Sequence, residues 1–213
     1  MDELPGAVPM SNRTQLYLMT PRLDAAAWPA LEAALGAGGV DCVLLRWASG
    51  AGGRSEVADA VRLVQGAGAA ALLEGEGRDA ARAGADGVHV AGPALTEALR
   101  ALKPDGIVGA GGLATRDDCM VAGELGADYL LFGEPKPDGF TPPLGLTVER
   151  TQWWAEIFEV PCVAYAAALD HVRPLVEAGA DFVALGDALW ADPRGPAAVL
   201  AALRGQLARE PAA

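Results

Sequence analysis

The sequence predicts a single α/β domain, a (β/α)8 TIM barrel, on three observations. Short apolar runs alternate with longer Ala-rich stretches of helical period. The alternation repeats eight times in about 200 residues, the small end of such barrels. A Gly-Ala-Asp signature recurs before every second run. A doubly wound sheet rarely needs eight units, and no GxGxxG follows the first run.

In chain order, the first unit pairs an apolar run at 16–20 with a helical stretch at 26–37, and the second pairs 42–47 with 55–65. Units three to five pair 70–74 with 77–83, 88–92 with 94–102, and 107–112 with 115–125. Units six to eight pair 129–133 with 149–158, 162–166 with 170–178, and 182–189 with 196–209. The runs are continuously apolar rather than alternating, as expected of parallel strands covered on both faces. Gly84-Ala85-Asp86, Gly126-Ala127-Asp128 and Gly179-Ala180-Asp181 each close a helix and open an even-numbered strand, with Gly39-Val40-Asp41 as a looser copy. The glycine suits the left-handed residue past a helix end, and the Asp turns the chain into the strand. These Asp residues are expected at the N-terminal, stability face of the barrel.

The barrel is expected over 14–209, after a flexible lead-in at 1–13 carrying Pro5, Gly6 and Pro9. With Asp2 and Glu3 and no basic stretch, the lead-in does not read as a secretory signal. Hydrophobic residues make up 52%, enough for a large core. Acidic residues number 28 against 16 Lys plus Arg, a net charge of −12, and Lys103 and Lys136 are the two lysines. That balance argues against nucleic acid and anionic membranes, and no apolar run is long enough to span a bilayer. Cys42, Cys119 and Cys162 are widely spaced and read as free buried thiols of a cytoplasmic protein. No CxxC or HExxH spacing occurs.

Chemistry on a barrel of this kind sits at the C-terminal ends of the strands and in the loops beyond them. A small-molecule ligand is therefore expected at that mouth. Arg46, at a strand end, needs a partner, and Glu74 at the next strand end is the natural one; an ion pair and ligand binding are both open. Glu74, Glu134 and Asp187 are expected as an acidic, solvated rim. The longest loop, 134–147, is rich in Pro and Gly and reads as a lid or binding loop. It carries Lys136, whose Lys-Pro-Asp-Gly sequence, also present at 103–106, reads as a turn. His89 reads as a hydrogen-bonded core histidine with a pocket role as the alternative, and His171 as a surface residue. Trp153 and Trp154 point about 100° apart on a helix, so one is expected inward and the other is open as a homodimer contact.

The order of motifs resembles thiamine phosphate synthase and its relatives, the thiazole tautomerases of the TenI type. Leu16-Tyr17-Leu18-Met19-Thr20 is similar to the family's opening LYLIT strand, and Val43-Leu44-Leu45-Arg46 stands where it has VQLR. Asp86-Gly87-Val88-His89 matches DGVH, and Gly126-Ala127-Asp128-Tyr129-Leu130-Leu131-Phe132-Gly133 stands at GADYVGFG. Pro161-Cys162-Val163-Ala164 and Ala178-Gly179-Ala180-Asp181 follow in the right order. The resemblance implies a place in thiamine biosynthesis, joining an aminopyrimidine diphosphate to a thiazole phosphate, with Mg²⁺ on carboxylates and a glycine-rich phosphate cradle.

Arg46 matches the family arginine. Glu74 and Gly75 stand where it has Asn-Asp, Pro93 and Ala94 near its second metal ligand, Gly111 and Leu113 at its Ser-x-His, Ala166 and Ala167 at its glycine pair, and Asp187 near its phosphate-binding serine. The metal ligands are thus not expected here, and no other cofactor is indicated. The added methyls at 166 and 167 and the carboxylate at 187 are expected to exclude a phosphate. The substrate-binding candidates are Arg46, Glu74, Lys136 and Asp187. The reading is a diverged family member, a diphosphorylase or a tautomerase if active; the alternative is an inactive paralogue that binds a small ligand and regulates.

Overall fold

Eight parallel strands close into a barrel in sequence order, each hydrogen-bonded to the next and the last returning to the first. The computed structural model describes residues 13–24, 27–47 and 53–208. The strands are β1 (Gln15–Leu23), β2 (Cys42–Trp47), β3 (Ala70–Glu74), β4 (Gly87–Ala91), β5 (Ile107–Gly111), β6 (Tyr129–Phe132), β7 (Cys162–Ala166) and β8 (Phe182–Leu185). The helices are α1 (Trp28–Gly36), α2 (Arg54–Gly66), α3 (Gly77–Ala83), α4 (Leu95–Leu102), α5 (Arg116–Glu124), α6 (Leu144–Ile157), α7 (Val172–Glu177), α8 (Asp187–Trp190) and α9 (Pro196–Leu203). The expected (β/α)8 fold is what the chain adopts. Of the lead-in expected at 1–13, only Arg13 lies among the described residues; it pairs with Asp41 at 2.7 Å and bridges to Ala208. The start of the first helix expected at 26 also lies outside them.

The recurring Asp residues do more than turn the chain. Each accepts a backbone N–H from the preceding odd-numbered strand: Asp41 from Leu16, Asp86 from Ala71, Asp128 from Val108 and Asp181 from Cys162, at 2.6–2.9 Å. Each also donates its own N–H back to the carbonyl of that same residue. Hydrogen bonds to a charged acceptor contribute about 1.5–3 kcal/mol each. The barrel is thus clamped four times at its N-terminal end. The glycines two positions before Asp86, Asp128 and Asp181 sit at φ of +72°, +99° and +92°, the left-handed turn that lets each helix end there.

The core has two shells. Between strands and helices lie residues such as Leu18, Leu45, Val88, Leu130 and Trp154. Inside the barrel lie Tyr17, Met19, Leu44, Leu72, Tyr129, Leu131 and Tyr165. A Cβ on Gly109 would overlap the Tyr129 ring, so that glycine on β5 makes room for the tyrosine of β6. All three cysteines are buried and none is in a disulfide, as expected.

Several boundaries differ from the sequence reading: the strand expected at 16–20 runs on to Leu23, and the helix expected at 196–209 ends at Leu203, followed by a tighter turn to Leu207. The strand expected at 182–189 ends at Leu185, and Asp187–Trp190 forms the helical turn α8. Ala188, Leu189 and Trp190 are apolar because they pack onto β1, where Trp190 Nε1 donates to the Met19 carbonyl at 2.6 Å. Helix α6 starts at Leu144 rather than 149, because Thr147 and Thr151 are buried and extend its inner face by a turn. The loop after β6 is correspondingly shorter, folded on itself by the Lys136 N–H donating to the Phe140 carbonyl and the Gly139 N–H to that of Lys136, so the Lys-Pro-Asp-Gly turn is present. Among the described residues no helix is long and apolar enough to cross a membrane.

Candidate functional site

A cleft of about 890 Å³ opens at the C-terminal end of the barrel, over β3 to β6 and against the first turns of α6. Its polar lining includes Glu74, His89, Gly112, Glu134, Lys136 and Arg150, with Glu76, Arg116, Thr147 and Glu149 also on the wall.

The deepest polar group is built across three strands. Tyr17, Tyr129 and His89 point inward from β1, β6 and β4. Their polar atoms form a chain, with Tyr17 Oη and Tyr129 Oη 2.9 Å apart and Tyr129 Oη 2.9 Å from His89 Nδ1. The His89 and Tyr129 rings also stack, with centroids 5.7 Å apart. Burial, with Arg46 nearby adding to it, lowers the His89 pKa to about 4, so the imidazole is neutral near pH 7. The proton order then follows from satisfaction. Tyr17 Oη has Tyr129 as its hydrogen-bond partner, so its proton goes to Tyr129 Oη, and that of Tyr129 goes to His89 Nδ1. His89 therefore carries its proton on Nε2, which faces the cleft.

Opposite stands Glu134, just past β6. Its Oε1 accepts the Gly112 N–H at 2.5 Å. Burial pushes its carboxyl pKa up, opposed by that N–H, by its own backbone N–H and by Arg150. Arg150 is fixed from α6 by donating to the carbonyls of Leu113 and Ala114 at 2.7 and 3.0 Å. Gly111 explains how carboxylate and imidazole come together. A Cβ there would lie 2.7 Å from both Glu134 Oε1 and His89 Nε2, so the two groups face each other across the space of one missing methyl. Glu134 is therefore not part of a solvated rim, as its sequence position suggested; it is turned inward onto backbone.

Arg46 and Glu74 form the ion pair that was one of the two open readings, Nε to Oε1 at 3.5 Å. Arg46 Nε is buried and makes no hydrogen bond, so the pair is incompletely satisfied. Thr20 Oγ1 fixes the backbone beneath it by accepting the Arg46 N–H at 3.0 Å. Lys136 is exposed on the loop, its Nζ 5.2 Å from the centroid of the Phe140 ring. Asp187 is exposed at the end of β8, away from the cleft. Glu74 and Lys136 thus share the cleft, Arg46 reaches it through Glu74, and Asp187 stands apart.

The Ala166 methyl is not where the sequence reading put it. Ala166 is fully buried in the shell between barrel and helices, because inward and outward positions alternate along β7. The inward neighbour is Tyr165. His171 is half-buried rather than on the surface, 4.0 Å from Asp170. Trp154 is the inward tryptophan, with Nε1 donating to the Val160 carbonyl at 2.7 Å and its ring stacked on Phe158. Trp153 is half-buried beneath the Arg116 guanidinium, 4.7 Å from the ring centroid. Glu134, His89 and Tyr165 were visible as strand-end or core residues in the sequence. The signal that would have joined Glu134 and His89 is the period of two along β4, together with Gly111 between them.

Fold and mouth define a small (β/α)8 barrel with a cleft, carrying a few convergent polar side chains, at the ends of its strands. Residues 16–189 match the thiamine monophosphate synthase family, and the chain belongs to it. It is 42% identical over 197 residues to a thiamine-phosphate synthase of Rhodospirillum centenum, covering 88% of this chain and 94% of that one. A thiamine-phosphate synthase of Hyphomonas neptunium is 36% identical, covering 89% and 92%. Among solved structures, thiamine phosphate pyrophosphorylase from Pyrococcus furiosus superposes with a TM-score of 0.75 at 23% identity, covering 92% of this chain and 96% of that one. The 3-hexulose-6-phosphate synthase of Salmonella typhimurium gives 0.69 at 15%, covering 91% and 98%. At those identities the structural likeness speaks for the fold.

Proposed function

We propose that this family member binds a thiazole- or aminopyrimidine-class heterocycle in its mouth and moves a proton on it, as a tautomerase does, rather than displacing a diphosphate. The observation that carries the reading is Glu134, a half-buried carboxylate hung on the Gly112 N–H and facing a neutral His89. A carboxyl with a raised pKa exchanges protons more readily near neutral pH, and a fixed N–H beside it steadies charge that develops on the ring. Glu134 is the proton-transfer group in this reading and His89 the donor.

The Mg²⁺ that the family implies does not fit the donor set. Glu74 is engaged by Arg46, Gly75, Pro93 and Ala94 offer no side-chain oxygen, and among the described residues no group of three or more His, Cys, Asp or Glu is placed to hold a metal. No step is therefore routed through a metal. The names of the relatives favour a second reading, synthase activity, and one experiment separates the two. Purified protein is given the aminopyrimidine diphosphate, the thiazole phosphate and Mg²⁺, and in parallel the thiazole tautomer, with and without its phosphate, in deuterated buffer. Tautomer conversion seen by NMR, lost in Glu134→Gln, supports the proposal. Formation of thiamine phosphate overturns it. Binding without turnover in any arm points to the inactive, ligand-binding paralogue.

A further inference from the structure

Two buried phenols stand beneath the cleft, unused by the proton transfer at its mouth. Tyr17 and Tyr129 are 1% and 6% exposed. Both point into the barrel, Tyr129 into the space that Gly109 leaves on β5. Tyr129 Oη is held from two sides, 2.9 Å from Tyr17 Oη and 2.9 Å from His89 Nδ1. Tyr129 is the one hydrogen-bond partner of Tyr17 Oη among the described residues. The reverse order of protons would therefore leave the Tyr17 O–H without an acceptor inside the barrel. His89 is 8% exposed, and its Nε2 faces the cleft with no hydrogen-bond partner among the described residues. That donor is aimed at whatever the cleft binds.

We propose that Tyr129, oriented by Tyr17, is a positioning residue that holds His89 as a fixed Nε2–H donor to the bound heterocycle, so that the proton moved in the reaction is carried by Glu134 alone. The torsion that turns an imidazole about its Cβ–Cγ bond is soft and roughly two-fold. A half-turn would exchange Nδ1 with Cδ2 and Nε2 with Cε1, and a carbon would then face the ligand. The Tyr129 hydroxyl opposes it, because the turned ring would offer that hydroxyl a C–H in place of Nδ1. The same chain keeps the Nε2 proton where it is. Were His89 to give it to the ligand, Nδ1 would have to take the Tyr129 proton, and Tyr129 that of Tyr17, ending in a phenolate at Tyr17. Burial pushes both phenols well above their ordinary range, so that end state is uphill.

Glu134 Oε1 and His89 Nε2 each lie 2.7 Å from the empty Cβ position of Gly111, and the two groups are not hydrogen-bonded to each other. A ring edge between them meets a base on one side and a donor on the other. Glu134 takes a proton from one ring atom, and the electron pair left behind shifts toward the ring atom facing Nε2–H. The carboxyl then returns the proton to a second ring atom. No atom is gained or lost, and His89 ends as it began. The transfer rests on the preceding reading; the pinned imidazole rests on the geometry of the two tyrosines.

Nitrogen-15 NMR of the imidazoles tests the pinning without any ligand. The chain has two histidines, and His171→Gln assigns them. At about pH 7, His89 is expected in one ring state, with Nδ1 at the unprotonated, pyridine-type shift and Nε2 at the protonated, pyrrole-type one. A protonated Nδ1, or two ring states in the wild type, overturns the proposal. In Tyr129→Phe the ring signals are expected to broaden or double, and a ring as singly ordered as in the wild type overturns the role of Tyr129. Kinetics on the thiazole tautomer test the transfer. Per folded molecule, Tyr129→Phe is expected to lower kcat about tenfold with KM within about twofold, and an unchanged kcat counts against it. His89→Leu is expected to slow turnover about 100- to 1000-fold, the loss of one donor. His89→Gln, which accepts from Tyr129 through Oε1 and donates through Nε2, is expected to recover at least about tenfold of that loss. A Gln variant as slow as the Leu variant overturns the proposal, because the imidazole would then be giving up its proton. Should Tyr129→Phe not fold, the wild-type spectrum and the Gln–Leu comparison still decide. If the wild type turns nothing over, the preceding reading fails, while the spectrum still judges the pinning.

Discussion

Acid is expected to weaken this barrel through the His89 imidazole. The His89 pKa is lowered to about 4 by burial, with Arg46 adding to it. In the unfolded chain it returns to about 6.5. The folded state therefore keeps the ring neutral while the unfolded state takes up a proton, and the stability that neutrality confers is lost as pH falls through that window. Between about pH 7.5 and about pH 4.5 the unfolded chain gains nearly a full proton and the folded chain a fraction of one, a difference of about 2.5 kcal/mol. The perturbation is His89→Gln, which still accepts from Tyr129 but does not titrate. Urea denaturation of both chains at both pH values reads the difference. The wild type is expected to lose about 2.5 kcal/mol more than the variant. Glu134 pulls the other way, since its raised pKa gives a contribution present at low pH and lost as pH rises, and comparing the two chains largely cancels it. Equal losses, or a folded-state His89 that titrates near pH 6.5 by NMR, would refute the reasoning.

Other outcomes follow from the same geometry. Tyr129→Phe leaves both Tyr17 Oη and His89 Nδ1 without partners inside the barrel and is expected to cost about 1–3 kcal/mol in urea denaturation. Asp128→Ala removes the acceptor of the Val108 N–H and the partner of Lys103, and is expected to cost about 2 kcal/mol by the same measurement. Gly111→Ala pushes Glu134 and His89 apart and is expected to abolish ligand turnover while lowering stability by about 1–3 kcal/mol, read by NMR conversion and thermal melting. The three thiols are buried, with burial pushing those of Cys42 and Cys119 up, so a thiol reagent is expected to label them only at the rate of unfolding.

The fold was legible because its grammar is local. Asp86, Asp128 and Asp181 each follow a glycine that must turn left-handed, and that device repeats at a spacing only a barrel of eight units explains. The end of β8 was not legible, because Ala188-Leu189-Trp190 is as apolar as a strand; its helical turn is fixed by Trp190 reaching the Met19 carbonyl, a contact 171 positions away in the chain. The Arg46–Glu74 pair was legible from adjacent strand ends. Glu134 was misread as a rim residue because its burial depends on Gly111 and Gly112, and the absence of a side chain carries no charge or hydropathy signal. Ala166 was placed in the mouth by alignment with a glycine pair, whereas the pleat of β7 turns it outward and presents Tyr165.

The four Asp clamps all lie at the end of the barrel opposite the cleft. Each Asp thus joins the two strands of its own quarter of the ring, and the last quarter is joined to the first where the Gln15 N–H donates to the Asp181 carbonyl. These clamps add to the strand pairing at the end of the ring away from the mouth. A lineage of such chains is free to exchange mouth residues without reopening the ring, so new chemistry evolves on an unchanged chassis.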